Sequence, residues 1–159
     1  MERATDYGSV GWGFKSLRAQ IVMKEHKGFY IIIHLEAEPL RVLDIFLSIL
    51  NKKGLKIIKK IDITKEIKKD IGIDWIFYTQ LDVINPEIMY KTLSIDKTVG
   101  ILTPIRVLIY EDDTGTSIIA QDPRFSARLV DNPTIIEISQ NMAEILINIL
   151  KEVEEQLKK

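Results

Sequence analysis

The sequence predicts an α+β domain, an antiparallel sheet crossed by helices, and three observations lead there. Short β-branched runs alternate apolar and polar residues, the period of half-buried strands. Asn–Pro pairs at 85–86 and 132–133 each combine a helix cap with a first-turn proline. The segment EDDTG, 111–115, joins two apolar runs through turn-forming residues.

The elements follow in order. Up to about Gln20 the chain is rich in Gly, Ser and charge. Residues 1–26 read as an N-terminal arm and 27–159 as a single domain. Trp12 and Phe14 suggest an arm that packs back on the domain or on a neighbouring subunit. From Gly28 the run FYIIIHLEA is a strand with Phe29, Ile31, Ile33 and Leu35 on one face. Glu38 to Lys53 is a helix opened by Pro39 and stopped at Gly54. Its polar stripe, Arg41, Asp44, Ser48 and Asn51, is so narrow that the helix needs more than one partner surface.

Leu55 to Ile61 is the second strand, and Thr64 is expected to cap a short helix that Gly72 ends. Ile76 to Ile84 is a strand, followed by a helix from Pro86 to about Ile95 and a short connector between Gly100 and Pro104. Arg106–Tyr110 and Thr116–Gln121 are the strands of a hairpin, with Gly115 expected to supply a positive φ. Asp122–Pro123 begins an irregular or short helical stretch. The last helix, from Pro133 to about Leu157, carries Ile135, Ile138, Met142, Ile145, Ile149 and Val153 at helical spacing. Leu146 and Leu150 widen that stripe, which fits a helix laid across a sheet rather than a coiled-coil seam.

At 159 residues the chain can bury roughly two-thirds of its unfolded surface as one domain. A hydrophobic share of 46% argues against disorder, and a net charge of −1 gives no global pull toward nucleic acid or an anionic membrane. With no Cys there is no disulfide, thiolate nucleophile or Cys-ligated metal. No apolar run reaches membrane-spanning length, so the expected location is cytoplasmic.

Chemistry-bearing residues are few. Glu111, Asp112 and Asp113 could offer oxygen ligands, but the spacing is not that of a calcium loop and no metal is expected. His34 shares a strand face with Tyr30, Ile32 and Glu36, and a His–Glu pair can do acid–base work. Gly8, Gly11 and Gly13 lack the preceding strand of a dinucleotide fingerprint, so no cofactor is expected either. The lysines from Lys52 to Lys69 lack interleaved aromatics and are diluted by Asp62, Glu66 and Asp70. They read as a solvated face, which argues against nucleic acid as a partner.

The pieces NPEIMYKTL, the run from Gly100 to Tyr110, and SIIAQDP together resemble the domain of unknown function 302 family. The resemblance extends from about Phe29 to Leu157. It implies a curved antiparallel sheet with two main helices on one face, similar in layout to half of a TATA-binding protein. It also implies a homodimer. The family's segment usually reads Pro–Cys–Asn before its strand; here Pro104 is kept, while Ile105 and Arg106 replace the other two. Thiol chemistry at that position is therefore excluded. Ile105 is expected to pack in the core, and Asp122–Pro123 matches the family's Asp–Pro ending.

Three functional classes remain open. The first is a homodimeric binding module that holds a small apolar or amphipathic ligand with Tyr30, His34, Tyr78, Gln80 and Arg106. The second is a cofactor-independent enzyme with His34 or Glu36 as general base and Arg106 stabilising an anion. The third is an adaptor that docks a partner through a helix face or the aromatic arm.

Overall fold

Ile31, Ile33 and Leu35 alternate along one strand and are almost wholly buried, and the sheet is built outward from them. The computed structural model describes residues 21–23 and 28–159. Trp12, Phe14, His26 and the Gly8–Gly11–Gly13 spacing lie outside the described residues.

The sheet has the order β1-β2-β6-β5-β4-β3, with every neighbouring pair antiparallel. The strands are β1 (Ile21–Met23), β2 (Tyr30–Leu35), β3 (Lys56–Asp62), β4 (Tyr78–Ile84), β5 (Ile105–Asp112) and β6 (Gly115–Gln121). The short edge strand β1 falls within the stretch read as an arm. Phe29 stands just before β2 and is exposed, whereas Ile32, on the opposite face from Ile31, is buried.

Two long helices, α1 (Pro39–Lys52) and α5 (Pro133–Leu157), pack on one face of this sheet and on each other. Phe46, Ile49 and Leu50 of α1 meet Leu146, Ile149 and Val153 of α5 over Ile33, Leu81, Val107 and Ile118. Fully burying each such side chain contributes about 1.5–3 kcal/mol. The narrow polar stripe of α1 is thereby explained: sheet and α5 are its two partner surfaces. Asn132 caps α5 through bonds from the Thr134 and Ile135 amides, and Asn85 caps α3 (Pro86–Ile95) in the same way.

Two local expectations are corrected. The cap of α2 (Ile63–Ile71) is Asp62, whose carboxylate accepts from the Lys65 amide, not Thr64. Thr64 lies inside the helix, where its hydroxyl donates to the Ile76 carbonyl and accepts from the Tyr78 amide, tying α2 to the start of β4. Asp is the stronger N-cap of the two, and Asp62 stands where its carboxylate reaches the Lys65 amide.

Gly115 does not adopt a positive φ, which among the described glycines belongs to Gly28, Gly54 and Gly72. A Cβ on Gly115 would instead sit 2.2 Å from the Leu35 carbonyl oxygen, so the residue is small because β2 passes against it. Gly54 and Gly72 follow α1 and α2 in the left-handed conformation that ends helices. A 3-10 helix, Lys97–Leu102, leads to the cis Thr103–Pro104 bond before β5, and α4 (Pro123–Ala127) follows β6.

Candidate functional site on the second face of the sheet

Strand alternation puts the helices on one face and leaves a second face with a different chemistry. The register arranges it in three rows across the strands. The first row is His34, Ser117, Tyr110 and Tyr78. The second is Ile32, Ile119, Leu108, Gln80 and Ile61. The third holds Tyr30, Gln121, Arg106, Asp82 and Lys59. All five residues expected to contact a ligand, Tyr30, His34, Tyr78, Gln80 and Arg106, thus share this face. Tyr78, Gln80 and Arg106 stand on the adjacent strands β4 and β5, while His34 and Tyr30 lie two or three strands away on β2. Tyr30 packs edge-on against Phe29, with ring centres 4.7 Å apart.

The first row ends in an aromatic platform. Tyr78 stacks on Tyr110 at 5.4 Å and 13°, and Trp75 stacks on Tyr78 at 5.4 Å and 19°. Trp75 precedes β4 and is about half exposed, so one end of the stack is open. Burial pushes the Tyr78 phenol above its ordinary pKa.

The third row ends in charge. Asp82 is mostly buried, and its Oδ1 has no hydrogen-bond partner; Arg106 Nε stands 3.6 Å away, an ion pair too long to satisfy it. Lys59 is across from Asp82 on the other side, so two cations flank one carboxylate and leave a local surplus of one positive charge. From Tyr110 to Arg106 is four residues of strand, about 13 Å.

His34 finds a carboxylate, but it is Asp112 and not Glu36. His34 Nδ1 is 2.7 Å from Asp112 Oδ2, and Nε2 is 2.8 Å from the Thr114 hydroxyl. Ser117 also donates to Asp112 Oδ2, and the Thr114 and Gly115 amides donate to Oδ1. Glu36 shares the alternation with His34 but lies past the last residue of β2 and is exposed, while the β5–β6 hairpin brings Asp112 alongside. Burial pushes the Asp112 carboxyl up, yet the hydrogen bonds from His34 and Ser117, the His34 charge and the Thr114 amide together hold it below its usual range.

A concavity lies on the helix side, between α3, the 3-10 helix, α4 and α5. Its volume is about 80 Å³ and its walls include Val83, Ile88, Val99, Ile105 and Met142. Ile105 is half-buried, packs against the core and lines this cavity. The space is about half the ~150 Å³ that admits benzene in an engineered core and well short of ordinary ligand sites. None of the five expected ligand contacts lines it.

Asp122, which opens α4, is buried and bonds the Arg124 amide and guanidinium. That pairing raises the Arg124 pKa and accounts structurally for an Asp–Pro at the end of β6. Lys56, Lys59 and Lys60 of β3 and Lys65, Lys68 and Lys69 of α2 are exposed at the far edge of the sheet. Among the described residues no three His, Asp or Glu side chains are grouped to hold a metal, and no helix is long and apolar enough to cross a membrane.

Sequence reasoning missed Asp82, Trp75, Tyr110 and Asp112 as members of this face. The alternation in YTQLDV placed Asp82 beside Tyr78 and Gln80 and could have found it. The His34–Asp112 contact spans 78 residues and left no local signal.

A family model described as "Domain of unknown function DUF302" matches residues 33–153, from the middle of β2 to near the end of α5. Among solved structures, the chain is similar to the crystal structure of an uncharacterized conserved protein DUF302 from Bacillus stearothermophilus. The TM-score is 0.73 at 18% identity, over 79% of this chain and 98% of that one. At that identity the likeness is one of fold. A search of the curated proteins finds no match.

Proposed function

This chain belongs to the DUF302 family, and from that premise we propose that it is a cytoplasmic, homodimeric small-ligand-binding domain. The ligand is a planar amphipathic molecule lying along β4 and β5 on the second face of the sheet. The observation that carries the reading is Asp82 Oδ1, a buried acceptor with no donor, at the charged end of a strip that begins in an open aromatic stack.

The chemistry of the ligand follows from that strip. Stacked Trp75, Tyr78 and Tyr110 favour a flat apolar ring system. About 13 Å along, Arg106 and Lys59 favour a single negative charge, and Asp82 favours a neighbouring hydroxyl or N–H donor. Gln80 and Leu108 lie between the two ends. An aromatic acid bearing a donor meets all three demands. His34 and Tyr30 complete the polar rim of the face.

The homodimer is supported around the small cavity. Tyr90, Ile101 and Leu129 are 74, 88 and 70% exposed on the segments that surround the small cavity. A second copy seated there would cover them.

The test is a fluorescence titration with 8-anilinonaphthalene-1-sulfonate, an aromatic anion with a flat naphthalene ring and an N–H donor. Arg106→Ala and Tyr78→Ala are each expected to weaken binding by about tenfold, the scale of one charge-assisted bond or one stacked ring. Equal affinity in wild type and both variants would place the dye elsewhere and remove the reading.

A further inference from the structure

The Asp112 carboxylate can only accept hydrogen bonds, so His34 Nδ1, 2.7 Å from it, carries the proton and donates. In the neutral imidazole this leaves the lone pair on Nε2. That nitrogen is 2.8 Å from Thr114 Oγ1, whose hydroxyl therefore donates to it. The order hydroxyl, imidazole, carboxylate is that of an activated nucleophile, its base and the group that orients the base. Thr114 is exposed, whereas His34 and Asp112 are half-buried. The reacting oxygen is thus open to solvent and its supports are held in the fold.

Stapling the hairpin turn does not explain the Thr114–His34 bond. Asp112 Oδ1 already accepts the Thr114 and Gly115 amides, and Ser117 already ties Oδ2 to β6. The turn is closed by these contacts, and the hydroxyl-to-imidazole bond is surplus to it.

We propose that Thr114 is a nucleophile, with His34 as its general base and Asp112 as a positioning residue, and that the site takes an acyl group from an activated ester. Thr114 Oγ attacks the ester carbonyl carbon while its proton passes to His34 Nε2. The C–O bond to the leaving group then breaks, and the departing oxygen takes the proton from Nε2. The products are an acyl-threonine ester and a free alcohol or phenol, with no change of oxidation state. Because the turn amides are occupied by Asp112, the acceleration expected is that of general-base catalysis alone, about 10²–10⁴-fold. The proposal shares His34 with the rim of the ligand face, but its test reads acylation at Thr114, which the ligand reading does not use.

That test is incubation of the full chain with p-nitrophenyl acetate, followed by peptide mapping by mass spectrometry. Wild type should gain one acetyl group on Thr114, retained in Thr114→Ser and absent at that position in Thr114→Val. The rate at Thr114 should fall at least 100-fold in His34→Gln. Asp112→Asn should slow it and Asp112→Glu should restore part of the loss. Acetylation of wild type only at lysines and the N-terminus would overturn the proposal, as would an equal rate at Thr114 in a folded His34→Gln.

Discussion

Asp112 receives four hydrogen bonds, from the His34 ring, the Ser117 hydroxyl and the Thr114 and Gly115 amides. Burial pushes its pKa up, but the bonds from His34, Ser117 and the Thr114 amide, with the His34 charge, outweigh that and hold it below the unfolded value. The folded state therefore binds this proton less readily than the unfolded state. Asp112 contributes stability above its unfolded pKa, about 4, and that contribution is lost as pH falls through the lower folded value. Urea denaturation at pH 5 and pH 3 should show a smaller acid loss in Asp112→Asn than in wild type. An identical loss in both proteins would mean that the carboxylate is not held as described. At this scale the sequence was only partly legible. The alternation around Tyr78, Gln80 and Arg106 put the right side chains on one face, because strand period is local. The partner of His34 was not legible, because it arrives from 78 residues away.

The β5–β6 hairpin is the element on which the second face depends. It carries Tyr110, Asp112, Thr114 and Ser117, and β2 passes so close that the Leu35 carbonyl occupies the place of a Gly115 side chain. Gly115→Ala should destabilise the protein by about 1–3 kcal/mol, because the atom in the way is backbone and cannot swing aside. It should also weaken the His34–Thr114 contact by moving the turn off β2. A denaturation midpoint unchanged from wild type would refute that packing. The helices were legible where caps and prolines mark them: α5 runs from Pro133 to Leu157 as its Asn–Pro opening and apolar stripe require. The reason for Gly115 was not legible, since a turn glycine can be selected by φ or by space. Only the neighbouring strand tells which.

On the scale of the whole molecule, two helices cover one face of an antiparallel sheet, and the aromatic, hydroxyl and charged side chains collect on the other. The core is legible in the sequence as apolar periodicity, and the family resemblance extended that to the whole arrangement. The order of the strands was not, because β2, the second strand, pairs with β6, the last. A ligand on this second face and a second copy over the exposed Tyr90, Ile101 and Leu129 are both open to one measurement. Native mass spectrometry of untagged protein tests both at once. The predicted result is a dimer with a reproducible added mass. That mass should vanish in a Tyr78→Ala, Arg106→Ala double variant that remains dimeric, and Ile101→Glu should yield monomer. A bare monomer from wild type, or an added mass that survives the double variant, would contradict the account.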